Sequence, residues 1–246
     1  MDVVTGVEGI RPEHGPIFAV IGVFDGLHRG HSYLLERLVA EARDRGAKPT
    51  VITFDHHPDE VLTGSAPPLL LHPDERLERL ADAGVEVTVV VHFDDALRRT
   101  TYDAFIDSIR RRTALAGLLM TPDAAFGFER RGTAEAVAAL GAERGFDVVV
   151  VPPFTVDGGP VSSSQIRAAI EDGDLARAER LLGRPVGLRA TAIDGRLVFD
   201  WPMAMPPDGP YACRIDGQRG TATVLDGTVR LSTPSMDGPV RVELVT

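Results

Sequence analysis

Residues 17–31 read Ile17-Phe18-Ala19-Val20-Ile21-Gly22-Val23-Phe24-Asp25-Gly26-Leu27-His28-Arg29-Gly30-His31. Residues 17–24 are apolar and rich in β-branched side chains without alternation, the pattern of a strand buried on both faces. Glycines interrupt the run. Leu34, Leu35, Leu38, Val39 and Ala42 then recur on one helical face, and Gly46 stops the helix. A strand, a glycine turn and a helix in that order open a parallel α/β sheet.

The pattern repeats downstream. Strands are expected at 51–54, 85–91, 115–120 and 147–151, with helices at 74–83, 102–112 and 133–144. Two short helices come next at 162–171 and 174–182, trailed by Gly173 and Gly183. Residues 56–72, rich in Pro and Gly, read as one long loop. The expectation is an α/β, Rossmann-like, doubly wound parallel sheet that binds ligands at the carboxyl ends of its strands. After about Pro185 the rhythm changes. Asp-Gly occurs at 194–195, 208–209, 216–217, 226–227 and 237–238. Asp-Gly between short β-rich runs marks tight hairpins, so a small all-β C-terminal module is expected. The division is 1–186 and 187–246.

Of the 246 residues, 43% are hydrophobic and 25% charged, ordinary values for a globular protein. The longest apolar run is too short to span a membrane. The N-terminus, with Asp2 and Glu8, lacks the pattern of a signal peptide. Cys213 is the single cysteine, which excludes a disulfide framework and makes a cytoplasmic location the expectation. The net charge of −10 argues against a nucleic-acid partner. Lys48 is the one lysine, and no Gly-Lys-Ser/Thr tripeptide exists, so a P-loop is ruled out. Homo-oligomerisation stays open.

The turn at 22–31 carries the chemistry. Glycines admit close backbone approach to phosphate, and a helix N-terminus adds unpaired N–H groups. His28 and His31 add two imidazoles at one mouth, with no Ser or Cys nucleophile beside them and no third metal ligand at typical spacing. The plain alternative is a glycine turn with two surface histidines.

The segment 22–31 resembles the Gly-x-Phe-Asp-Gly-x-His-x-Gly-His signature of the bacterial FAD synthetases, the adenylyltransferase module of bifunctional riboflavin kinase/FMN adenylyltransferases. These belong to the His-x-Gly-His nucleotidyltransferase superfamily. Thr53-Phe54-Asp55-His56-His57-Pro58 is similar to that family's Thr-Phe-Asp-Pro-His-Pro, with His56 in place of a proline. Residues 123–132 resemble its Gly-x-Asp-Phe-x-Phe-Gly-x-x-Arg-x-Gly. Val161-Ser162-Ser163-Ser164-Gln165-Ile166-Arg167 is close to its Ile-Ser-Ser-Thr-x-Ile-Arg, and Leu181-Leu182-Gly183-Arg184-Pro185 matches the family's next segment. The likeness runs over about residues 15–186, in order and at family spacing.

The resemblance implies an enzyme that converts ATP and FMN to FAD and pyrophosphate with Mg²⁺. It gives His28 and His31 the ATP phosphates and the developing charge. Gly22, Phe24 and Gly30 supply backbone room for the nucleotide. Ser163 and Ser164 donate to phosphate from a helix start, with plain N-capping as the alternative. Arg167 forks onto the β- and γ-phosphates. Phe54, His57, Pro58, Asp123 and Phe126 face the flavin, and Asp123 also faces Mg²⁺. Phe54 and Phe126 fit a core role equally, and His57 equally shapes a loop. Asp25 either hydrogen-bonds the turn or touches substrate. His56, His72 and His92 read as surface or structural residues.

Two departures matter. Thr121 replaces the family's glycine, and Asp123-Ala124 replaces its Asp-Phe pair. Another phosphorylated acceptor is therefore a second reading, and a non-catalytic nucleotide or flavin binder a third. The segment 187–246 lacks the Pro-Thr-Ala-Asn of a riboflavin kinase module and reads as reduced or replaced, too short for a full six-stranded barrel with its flavin-covering segments. No riboflavin kinase activity is expected.

Overall fold

The computed structural model of the chain describes residues 1–232 and 237–245. The chain divides into two compact units. Unit 1 comprises Met1–Phe24, His31–Pro67 and Leu77–Phe154. Unit 2 comprises Asp25–Gly30, Pro68–Arg76 and the chain from Thr155 onward. This division by contacts does not follow the 186/187 boundary drawn from the sequence.

Unit 1 is built on six parallel strands: β1 (Asp2–Thr5), β2 (Ile17–Ile21), β3 (Lys48–Phe54), β4 (Val87–Val91), β5 (Leu115–Met120) and, after a short antiparallel pair β6 (Ala125–Phe126) and β7 (Gly132–Thr133), β8 (Asp147–Val150). Their order is β1-β4-β3-β2-β5-β8. From β2 the chain moves outward on one side through β3 and β4, then returns to lay β5 and β8 on the other. The sheet therefore switches direction beside β2, and the residues after β2 occupy the position where such sheets bind ligands. The helices between strands are α1 (Arg29–Asp44), α2 (Pro58–Thr63), α3 (Pro73–Asp82), α4 (Asp95–Arg98), α5 (Tyr102–Arg110) and α6 (Ala134–Arg144). The core of unit 1 joins Ile17, Ala19, Ile52, Val87, Val89, Ile106, Ile109, Leu118 and Val137, each nearly inaccessible.

Two of the unit 1 elements that the sequence reading lacks have a plain local explanation. β1 is a four-residue edge strand paired with β4, too short to carry a pattern. The loop expected at 56–72 contains α2, which the sequence does signal: His57 Nδ1 accepts from the Asp59 amide, Pro58 sits in the first turn, and Gly64 closes the helix at φ 83°.

Unit 2 holds a hairpin of β9 (Thr155–Val156) and β10 (Gly159–Pro160), the helices α7 (Ser163–Glu171) and α8 (Leu175–Leu182), and strands β11 (Val186–Ile193), β12 (Arg196–Val198), β13 (Gly209–Ile215), β14 (Gln218–Leu225), β15 (Thr228–Leu231) and β16 (Gly238–Leu244). These last six close into an antiparallel barrel in the order β11-β12-β15-β14-β13-β16. The expectation of too little chain for a full barrel with its flavin-covering segments is thus corrected for the six strands themselves, which do close. Strands of three to eight residues suffice because three of the connections are two-residue turns. Three Asp-Gly pairs make those turns with both residues at positive φ: Asp194 49° and Gly195 72°, Asp216 46° and Gly217 84°, Asp226 48° and Gly227 69°. The other two aspartates brace them. Asp208 accepts from the Asp226 amide, and Asp237 from the Asp194 amide. Alternate residues point inward, so Cys213, Ile215, Ala222, Val224, Val229, Val240, Val242 and Leu244 fill the barrel core.

Candidate functional site

Unit 2 organises the segment Asp25–Gly30 through side chains that reach it from far along the chain. Gly26 takes φ 83°, and Leu27 takes φ 36°, a left-handed value unusual for a residue with a Cβ. Such a backbone persists only if its surroundings hold it. Two arginines do so. Arg184 donates to the Gly26 carbonyl at 2.6 Å and to the Leu27 carbonyl at 3.1 Å. Arg167, on α7, donates from Nη2 to the Asp25 carboxylate at 2.6 Å and from Nε to the Pro68 carbonyl at 2.8 Å. The Leu70 amide also donates to both Asp25 oxygens, at 3.0 and 3.1 Å. Asp25 is 4% exposed. Burial pushes its carboxyl above the ordinary carboxylate value, while the Arg167 charge and the Leu70 amide pull the other way. The bonds of the Asp25 carboxylate run to Leu70 and Arg167, outside the turn itself.

His28 is also buried, at 4% exposure, which corrects the alternative of two surface histidines. Burial lowers its pKa to about 4, and the Arg184 charge pushes in the same direction. At neutral pH it is a neutral imidazole, able to donate one hydrogen bond but carrying no charge. A Cβ on Gly30 would lie 3.2 Å from the His28 ring, so the room that Gly30 provides is occupied by that imidazole.

The start of α7 places its three serines differently. Ser162 is the N-cap, its hydroxyl accepting from the Gln165 amide at 3.3 Å. Ser163 donates its hydroxyl to the Asp25 carbonyl at 3.0 Å. Ser164 is exposed. The expected fork of Arg167 onto phosphate meets a geometric fact: its Nε and Nη2 are committed to Pro68 and Asp25.

Unit 1 carries the remaining candidates. Phe24, 2% exposed at φ 55°, sets its ring 5.0 Å from that of His31. A Cβ on Gly22 would lie 3.0 Å from the Phe24 ring, so Gly22 makes room for that ring. His31 is half-buried at the start of α1. Phe54 packs edge-on against Phe93 at 5.3 Å, and Phe126 against Phe105 at 6.2 Å. Both are partly buried and pack against the core of unit 1. Phe126, Ala124 and Thr121 also line a cavity of about 80 Å³ with Val20, Ile21, Leu34 and Leu118. Ligand pockets commonly span ~300–1,000 Å³, so a flavin ring system enters there only if side chains move. His57 and Pro58 start α2. Asp123 is exposed, and the Thr121 hydroxyl donates to it at 2.7 Å.

The sequence reading missed Arg184 as a partner of the turn. Its only signal was its place in the Leu-Leu-Gly-Arg-Pro match.

A family model described as FAD synthetase matches residues 10–165. The bifunctional riboflavin kinase/FMN adenylyltransferase of Pseudomonas fluorescens is 33% identical over 197 residues, covering 80% of this chain and 63% of that protein. The enzyme of the same name from Escherichia coli K12 is 35% identical over 202 residues, with 80% and 63% covered. The chain therefore spans about 63% of the length of these relatives. The crystal structure of a macrolide-efflux protein from Streptococcus pneumoniae is similar over 99% of this chain and 90% of that one, with a TM-score of 0.85 at 26% identity. Matched over residues 10–165, the chain belongs to the FAD synthetase family.

Proposed function

We propose that this protein is an FMN adenylyltransferase, converting ATP and FMN to FAD and pyrophosphate in the cytoplasm. The observation that carries the reading is the family match across residues 10–165, which includes the turn that bears His28 and His31. Residues 1–186 then act as the nucleotidyltransferase domain and 187–246 as a β module.

Adenylyl transfer needs in-line positioning and stabilisation of charge on phosphorus, with no covalent enzyme intermediate. His28 serves as a neutral donor to a phosphate oxygen, since its lowered pKa keeps it unprotonated at neutral pH. His31 and Ser164 are further donors. Gly22, Phe24 and Gly30 contribute backbone. Ser163 holds Asp25, and Arg167 offers phosphate only what Asp25 and Pro68 leave it, so its larger part is to fix the turn. Phe54, His57, Pro58, Asp123 and Phe126 are assigned to the flavin side.

Mg²⁺ usually binds through one or two carboxylates plus substrate phosphates. An exposed carboxylate braced by the Thr121 hydroxyl fits that requirement, so Asp123 would hold it. The ion supplies charge neutralisation on the phosphates.

The test incubates the chain with ATP, FMN and Mg²⁺ and identifies products by chromatography. FAD and pyrophosphate are expected in equal amounts. Absence of FAD, with adenylyl transfer to a different phosphorylated acceptor, would establish the second reading, which Thr121 and Ala124 at the small cavity favour. Riboflavin offered in place of FMN is expected to give no FMN and no ADP. The segment from Gly195 to Pro202 has no Thr or Asn after its proline to build a kinase site.

A further inference from the structure

We propose that Asp55, His56 and His92 form a binding site for a transition-metal dication of the zinc class on unit 1. The sheet topology brings the three together. β3 and β4 are parallel neighbours with Phe54 opposite Val91. The next residue of each strand, Asp55 and His92, therefore emerges side by side at the carboxyl edge. The Asp55 amide extends the ladder by one bond, donating to the Val91 carbonyl at 3.1 Å.

The carboxylate is oriented by backbone. Its Oδ1 accepts from the His56 amide at 2.8 Å and the Phe93 amide at 3.3 Å. Its Oδ2 lies 2.6 Å from His92 Nδ1, and Oδ1 lies 3.2 Å from His56 Nδ1. One ligand atom from each of the three residues falls within 4.8 Å of the others. A carboxylate fixed by amides beside two imidazoles is a pre-arranged donor set.

The donor types choose the ion. Mg²⁺ and Ca²⁺ want oxygen, whereas imidazole suits Zn²⁺, Co²⁺ and Ni²⁺. Three protein ligands leave a position for water, as in open zinc sites. With bonds of about 2.0–2.1 Å, neighbouring ligands of a tetrahedral ion stand roughly 3.3 Å apart. His92 must then withdraw from its 2.6 Å contact by less than an ångström. Its side chain is 67% exposed and that of His56 40%, so both rings have room to turn. Giving up the Asp55–His92 hydrogen bond weakens binding, and the expected dissociation constant is micromolar. His56 stands where the family motif has proline, so the third ligand is a feature of this chain. The site is independent of the adenylyl-transfer reading and shares no residue with it.

The experiment uses the tag-free, EDTA-treated full chain. ZnCl₂ is titrated calorimetrically, and Co²⁺ is added separately to record its visible absorption. One Zn²⁺ per chain is expected, with a cobalt spectrum of the intensity typical of four or five ligands. His92→Ala and His56→Ala should each weaken binding at least tenfold and remove the cobalt bands. His72→Ala, whose imidazole lies near Asp74 and Asp200, should change neither. Circular dichroism and melting without metal check folding, and His56→Gln and His92→Gln replace any alanine variant that fails to fold. The proposal is overturned if wild type binds Zn²⁺ no tighter than a variant carrying both His56→Ala and His92→Ala, or if binding survives loss of His92. Either result would leave the triad as a hydrogen-bonded tie between two strand ends.

Discussion

Arg167→Ala separates an arginine that serves the nucleotide from one that holds the protein together. A residue that only grips phosphate can be truncated with little effect on stability. Here the guanidinium and the Asp25 carboxylate form a 2.6 Å ion pair in which the side chains are 10% and 4% exposed. Removing one partner of such a buried pair costs about 3–5 kcal/mol, because the other charge is left without compensation. For a chain of this size 1 kcal/mol corresponds to roughly 2–4 °C, so Tm should fall by about 6–20 °C. The loss should also depend on pH. Burial already raises the Asp25 pKa, and deleting Arg167 removes the main opposing charge. A carboxyl whose folded pKa exceeds its unfolded value stabilises at low pH and loses that contribution as pH rises through the folded pKa. Urea unfolding at pH 5 and pH 8 should therefore show the larger penalty at pH 8. The double variant Asp25→Asn, Arg167→Met, which removes both charges, should recover part of the loss. The reasoning is refuted if Arg167→Ala unfolds within about 0.5 kcal/mol of wild type at both pH values while ATP binding is lost.

Two further outcomes concern other residues of unit 2. His28, with a folded pKa of about 4 against 6.5 for the free side chain, binds its proton only in the unfolded chain between those values. Stability should thus fall by up to about 3 kcal/mol as pH drops from 6.5 to 4; His28→Gln should flatten that slope in urea melts, and parallel curves would contradict the assignment. Gly227→Ala puts a side chain at φ 69° with nothing within 4 Å of its Cβ, so the cost is conformational alone, about 1–2 kcal/mol, measured as a lower urea midpoint with unchanged m.

The sequence made β2, the glycine turn and α1 legible because their signals are local and periodic. Apolar residues on both faces, glycines at the break and a 3.6-residue stripe lie within thirty positions of one another. The Asp-Gly turns were legible for the same reason. Closure of the barrel was not, since β11 pairs with β16 across the whole tail, with Arg189 opposite Arg241, and no local pattern encodes that register. The candidate site divides likewise. His28 and His31 stood out by type and spacing. The burial of His28, the Arg184 bonds to the turn and the Asp25–Arg167 pair, 142 positions apart, depend on tertiary folding. Phe54 and Phe126 carried two readings because an aromatic beside a strand end looks the same in sequence whether it packs on Phe93 or awaits a ligand.

The barrel's tight turns also set its chemical lifetime. In an Asp-Gly pair the glycine amide nitrogen meets little steric obstruction when it attacks the aspartate carboxyl, and the succinimide that forms reopens mainly as isoaspartate. That product carries an extra methylene in the main chain. A long loop would absorb it, but the hairpins at Asp194-Gly195, Asp216-Gly217 and Asp226-Gly227 have only two residues between paired positions, such as Ile193 with Arg196 and Leu225 with Thr228. One such event therefore leaves a covalent mismatch in the strand pairing. The dipeptides that let so short a segment close into a barrel are the places where storage and age will damage it first.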